Sequence, residues 1–231
     1  KTGPTVTDDI SVAKLEDPDQ IAEVSLVFGA GEINLAPGAE DALISGTATY
    51  NVPDFKPRVS VSGKDVRIEQ GDLEIGGIPS FDNKIRNRWD LQFGDMPMKL
   101  DIKAGAYQAD YEFGALALRA LELADGAADV DLSFDSPNLV EMDTFRYTTG
   151  ASNITLTGLA NANFETMIFQ SGAGNYILNF SGELKRDATV RIETGLSTVT
   201  IVVPKGFNAV LEIEGGLSTV DLNDDWKQQG N

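Results

Sequence analysis

Asp110, Asp129 and Asp131 are the residues whose type and spacing come nearest to chemistry. Carboxylates brought close together raise one another's pKa, as an acid–base pair acting on a polysaccharide requires, or recruit a hard cation such as calcium. On a strongly acidic surface they also simply splay into water, and that is the plainer expectation. Calcium is the candidate ligand of these three positions, and no residue pattern points to a catalytic residue or a cofactor. Other chemistry is thin. The chain holds no histidine and no cysteine, which removes imidazole acid–base catalysis, thiol nucleophiles, disulfides and the common zinc and iron ligand sets. Gly29 with Gly31, and Gly172 with Gly174, begin like a dinucleotide fingerprint, but Asn34 and Ile177 stand where its third glycine belongs. Gly63-Lys64 lacks the upstream glycine and the following Ser or Thr of a phosphate loop, and no G-x-S-x-G elbow occurs.

Whatever these aspartates do depends on a repeat that places them. Gly29, Gly105, Gly126, Gly150, Gly172, Gly195 and Gly216 each sit between two apolar pairs, at five and three residues before and four and six after. All 28 such slots are apolar or aromatic, where a chain that is 42% hydrophobic would fill about 12 by chance. From Gly105 onward the glycines lie 21, 24, 22, 23 and 21 residues apart. Each unit therefore reads strand, glycine corner, strand. The inward positions flanking a glycine are an odd seven residues apart, so one residue must be absorbed there, a role that positive φ lets glycine fill.

The expected fold is all-β, a single-stranded β-solenoid-like stack of units of about 22 residues. An antiparallel meander with a turn at each glycine is the alternative, disfavoured because only Asp125-Gly126 carries a hairpin dipeptide. Residues 1–20 read as a flexible leader and 21–223 as one solenoid domain. Within it, 21–75 hold degenerate repeats, 76–87 a linker loop and 88–223 the regular repeats, followed by a polar tail at 224–231. Gly71 is a degenerate copy keeping Val66, Ile68 and Ile75 but failing at Gly77, and a further decayed unit is expected between Gly29 and Gly71.

The chain has 36 acidic and 18 basic residues, a formal charge of −18, which repels nucleic acid and anionic lipid. Lys84, Arg86 and Arg88, like Lys185 and Arg186, read as charged loop tips because neither cluster extends into a stripe. No apolar run approaches the ~18 residues of a membrane-spanning helix. Residue 1 is Lys, so an exported protein that has lost a signal peptide or lipid anchor upstream is the expectation.

Stacking also aligns the outward positions. Three and five residues after successive glycines come Gln108 and Asp110, Asp129 and Asp131, Asn153 and Thr155, Asn175 and Ile177, Thr198 and Thr200, Thr219 and Asp221. Such a flat polar face suits the hydroxyls of an extended glycan, or serves as solubility decoration. Ile168 and Ile177 fall on outward slots and are the candidates for a protein contact.

The segment from Asn87 to Phe93, GLANANFE at Gly158 to Glu165, and the stretch from Arg186 to Ile213, with the leader GPTVTDDISV and the corner VSLVFGAGEINL, resemble the bacterial toast-rack family. That resemblance covers nearly the whole chain. It implies a single-stranded right-handed β-helix-like stack in an exported, often membrane-anchored or lipoprotein setting, adhesin-related and without an established activity. No catalytic residue is transferred by it. Two functions remain open: a non-enzymatic envelope module that binds a glycan or protein or acts as a spacer, and a carboxylate-based polysaccharide hydrolase or lyase using Asp110, Asp129 and Asp131.

Overall fold

The computed structural model describes residues 2–71 and 85–212. Twelve strands follow one another: β1 (Val6–Ala13), β2 (Ala22–Pro37), β3 (Ala42–Tyr50), β4 (Pro57–Ser62), β5 (Asp65–Gln70) and β6 (Asn87–Phe93), then the main run. That run comprises β7 (Met98–Glu112), β8 (Leu118–Ser133), β9 (Met142–Thr157), β10 (Phe164–Asn179), β11 (Thr189–Thr194) and β12 (Ser197–Val202). Two short 3-10 turns, Pro53–Phe55 and Leu159–Ala162, are the only helical segments among the described residues. No described helix is long and apolar enough to cross a membrane.

The architecture is all-β, one mixed and open sheet. Its centre is the parallel run β2-β7-β8-β9-β10, and at either end the next position is taken by two short strands. β5 pairs with the first half of β2 and β6 with its second half, while β11 and β12 pair with the two halves of β10. The register carries like positions onto like. Ile102 faces Leu123, Leu123 faces Tyr147, Tyr147 faces Phe169 and Phe169 faces Ile192. After the glycines, Ala109 faces Val130, Val130 faces Ile154, Ile154 faces Tyr176 and Tyr176 faces Val199. Gly29, Gly105, Gly126, Gly150 and Gly172 lie inside continuous strands, so no hairpin turns at them and the meander is excluded.

The inward phase does change at each glycine. In β8, Leu121 and Leu123 are buried, then Val130 and Leu132, with exposed Gly126 and Ala127 between. The reason for glycine differs from the expectation, however. None of Gly29, Gly105, Gly126, Gly150, Gly172 and Gly195 has a positive φ. They form a column instead: a Cβ on Gly105 would meet the carbonyl oxygen of Gly29 at 2.3 Å, one on Gly172 that of Gly150 at 2.5 Å, and one on Gly195 that of Gly172 at 2.5 Å. Close backbone approach between successive strands, not left-handed conformation, is what forbids a side chain there.

Between the strands the chain returns along a side that the repeat does not describe. Phe113, Leu116, Phe134, Leu159 and Ala162 of these return segments are fully buried and close the core over both strand halves. Successive segments are stitched by backbone bonds, Phe113 N–H to the Ser133 carbonyl (2.8 Å) and Phe134 N–H to that of Thr157 (3.0 Å). Asn138, 3% exposed, accepts from Leu118 N–H at 2.9 Å and donates to the carbonyls of Leu118 and Val140 at 2.8 and 2.7 Å. A chain of edge-on ring contacts, Phe113–Phe134–Phe145–Phe164, runs through the same region. Each such buried side chain contributes about 1.5–3 kcal/mol.

The N-terminal region departs from the sequence expectation. Residues 6–13, read as part of a flexible leader, form β1, antiparallel to β3, with Ile10 and Val12 each 3% exposed. Two inward apolar residues are too short a pattern to announce a strand, and β3 supplies the missing partner. The decayed unit expected between Gly29 and Gly71 is absent: β3 and β4 there run antiparallel to β6 and β5. The Gly71 copy is split, because Val66 and Ile68 face Val24 and Leu26 while its second half is provided by Trp89 and Leu91 of β6, facing Ile33 and Leu35. Asn87, assigned to the linker, begins that strand. Ile75, Gly77, Gly216 with its slots from Ile213 onward, and the tail 224–231 lie outside the described residues.

Candidate functional site

The two halves of the long strands present different outward surfaces. On the first halves several charges pair with one another. Lys64 pairs with Glu23 at 2.6 Å, Lys103 with Asp101 at 2.9 Å, Arg67 with Glu69 at 2.6 Å and Arg191 with Glu193 at 2.6 Å. On the second halves two outward rows run through consecutive strands, Gln108–Asp129–Asn153–Asn175–Thr198 and Asp110–Asp131–Thr155–Ile177–Thr200. No Lys or Arg occurs in the second halves of β7 to β10 or in β12. The side chains are short, and Asn175 donates to Asn153 at 3.1 Å along the row.

The structure brings the three candidate aspartates onto this face. Asp110 and Asp131 are direct partners across β7 and β8, and Asp129 stands beside Gln108 in the adjacent row. With Asn34 of β2 they bound a shallow depression of about 460 Å³. Among the described residues no three acidic side chains converge as a metal site would require. Ile168 and Ile177 are not brought together. Ile168 is half-buried on a first-half row between Arg146 and Arg191, whereas Ile177 is 42% exposed on the second-half face between Thr155 and Thr200.

A polar cluster that the repeat does not foretell sits inside the glycine corner. Asp125 accepts from Tyr147 Oη at 2.9 Å, from Tyr107 Oη at 3.2 Å, and from the hydroxyls of Thr149 and Ser152. Ser152 also accepts the Ala128 N–H at 2.9 Å. Burial raises the Asp125 pKa above its ordinary value, against the opposing effect of the four donors, and burial raises the phenols of Tyr107, Tyr111 and Tyr147 as well. Its sequence signal is the one acidic corner, Asp125-Gly126, together with Tyr147 in a slot that other copies fill with Leu, Ile or Phe, and Tyr107 two residues after its glycine, where other copies carry Gly, Ala or Ser. The cluster holds a carboxylate in place beside the core among four hydroxyl donors, which is a structural role.

Comparison with solved structures supports the architecture. A provisionally named cell adhesion protein from Clostridium sporogenes superposes with a TM-score of 0.65 at 20% identity, covering 86% of this chain and 99% of that one. Weaker likeness extends to a provisionally named lipid binding protein from Parabacteroides distasonis, with a TM-score of 0.35 at 9% identity over 87% and 98% of the two chains. A provisionally named adhesin from Bacteroides fragilis gives 0.33 at 12% identity over 86% and 96%. No curated protein sequence matches this chain. A sequence model of the N-terminal domain of toast_rack, DUF2154, matches residues 1–144, which include β1, the split strand pair at the N-terminal end and the first parallel strands of the column. By that match, and by the strand column it runs through, the chain belongs to the toast_rack N-terminal domain family.

Proposed function

We propose that this protein is a non-enzymatic binding module of the bacterial cell envelope, and that it lays an extended glycan along the outward face of its second strand halves. The observation that carries the reading is the contrast between the two faces. The first-half face carries charged side chains of both signs, several of them ion-paired, while the second halves of β7 to β10 and β12 carry rows of Gln, Asn, Asp and Thr with no Lys or Arg among them. Neighbouring strands lie about 4.8 Å apart, so the five strands β7, β8, β9, β10 and β12 offer a polar track roughly 19 Å long. The underlying stack is read as a right-handed β-solenoid, because consecutive parallel strands joined by return segments on one side cross over with that hand in about 98% of known sheets. Likeness to a cell adhesion protein, and the absence of imidazole and thiol chemistry from the sequence, favour binding over turnover and an extracytoplasmic setting.

The test is a glycan-array screen of the purified chain with and without calcium. Reproducible binding to one polysaccharide class, lost on Asn153→Arg or Asn175→Arg and without release of fragments, is the expected result. A blank array would overturn the glycan reading in favour of a protein partner or a spacer role. Fragment release abolished by Asp131→Asn would establish the hydrolase or lyase instead, and binding that required calcium would return Asp110, Asp129 and Asp131 to the role of cation ligands.

A further inference from the structure

At the N-terminal end of the polar track lies a second depression, of about 660 Å³, whose floor is Ala30, Gly31, Ala106 and Tyr107 and whose rim carries Arg86 and Arg88. It shares Glu32, Arg88 and Gln108 with the depression bounded by the aspartates, so the two form one continuous groove. The head is held in shape by three amide side chains. Asn51 grips Arg86 from both sides, its Oδ1 accepting the Arg86 N–H at 2.8 Å and its own N–H donating to the Arg86 carbonyl at 3.1 Å. Asn87, 6% exposed, donates from Nδ2 to the Ala30 carbonyl at 2.7 Å and to Gln70 Oε1 at 2.8 Å, and that same oxygen accepts the Gly29 N–H at 2.9 Å. Floor and rim are therefore fixed before any ligand arrives.

The charges along the groove are unequal. Arg88 is committed to Asp90 at 2.8 Å and to Glu32 at 3.2 Å. Arg86 is exposed and makes no ion pair among the described residues, although acidic residues outnumber basic ones two to one in this chain. A few residues along, the groove turns acidic at Asp110, Asp129 and Asp131. We infer that the head of the groove is a subsite for a single anionic sugar, one bearing a carboxylate, with Arg86 as the recognising cation and uncharged sugar units following along the track. A planar guanidinium pairs with a carboxylate bidentately, and the small apolar floor beside it suits the face of a sugar ring. A chain charged at every unit would bring its later carboxylates against the three aspartates and is selected against. The protein's net charge of −18 opposes such a ligand only at long range, because charges beyond about 8 Å are largely screened at physiological salt.

The inference rests on the glycan reading above, and calorimetric titration of the full chain with matched pairs separates the two. Cellobiouronic acid is set against cellobiose, 3′-sialyllactose against lactose, and tetragalacturonate serves as the uniformly charged control. At least one acidic member is expected to bind about tenfold tighter than its neutral partner, the gain of one charge-assisted bidentate contact. Arg86→Gln should erase that preference, Arg86→Lys should keep part of it, and tetragalacturonate should bind more weakly than the preferred acidic ligand. Because Arg86 is held by its backbone, through Asn51, and its exposed side chain makes no hydrogen bond or ion pair among the described residues, neither substitution should alter folding. Equal affinity within each pair, or a preference that survives Arg86→Gln, would overturn the anionic subsite. Binding of neutral members that is weakened by Asn153→Arg would show in that case that the track itself still stands. No binding by any ligand would overturn both.

Discussion

A Cβ placed on Gly150 would stand 2.3 Å from the carbonyl oxygen of Gly126, closer than any real side chain approaches a backbone atom. The same column continues from Gly126 to Gly105, yet there the distance is 3.1 Å. Stability should follow this difference. Gly150→Ala must displace one strand from its neighbour and is expected to cost about 2–3 kcal/mol, whereas Gly126→Ala should cost about 1 kcal/mol or less. Chemical denaturation of the two variants checks the ranking, and equal losses would mean that the column is not what requires glycine.

Asp125 supplies a pH test. Its folded pKa lies above the ordinary value of 3.8, so the folded state holds this proton more firmly than the unfolded chain. The resulting stabilisation is complete below about pH 3.8 and is lost as pH rises through the folded value. Asp125→Asn, neutral throughout and still able to accept from Thr149, should therefore gain on the wild type between pH 3.5 and pH 7. Unfolding midpoints measured across that range would contradict the assignment if the variant's stability relative to the wild type stayed constant or fell as pH rose. Loss of a single donor, in Tyr147→Phe, is expected to cost about 1.5–3 kcal/mol at pH 7, the usual worth of a hydrogen bond to a charged group.

Asn138 tests the return segments. Its side chain serves three backbone groups in a site that is 3% exposed, and truncation leaves them without it. Asn138→Ala is expected to lose about 3 kcal/mol. Asn175→Ala, which removes only the exposed bond to Asn153, should change stability by less than about 0.5 kcal/mol. Comparable losses in both variants would deny the return segments a special part in holding the stack.

The C-terminal units were plain in the residues themselves because each satisfies the same four apolar slots, and a repeated slot needs only a like neighbour to pair with. Val66 and Ile68 were legible for that reason, as was the outward row from Gln108 to Thr198. The return segments carried a weaker sign of the same kind. Phe113, Phe134 and Phe180 each stand eight residues after a repeat glycine, extending the inward alternation one step beyond the slots at four and six. Asp125 was visible only as an odd corner residue, since nothing local shows that Tyr107 and Tyr147, 18 residues before it and 22 after, will close around it.

The sequence by itself determined the strands of the repeat, their glycine column, their inward faces and the composition of the polar rows, because periodic burial is a local property of chain and side chain. Tertiary structure alone decided the rest. Val66 and Ile68 of β5 pair with only the first half of β2, and Trp89 and Leu91 of β6, 21 or more residues further on, pair with its second half, a division that no local pattern dictates. Residues 6–13 become a strand because β3 offers an antiparallel edge. The groove head at Arg86 exists because Asn51, Gln70 and Asn87, distant in sequence, are brought by that pairing to one corner, where their amides hold backbone that no periodicity specifies.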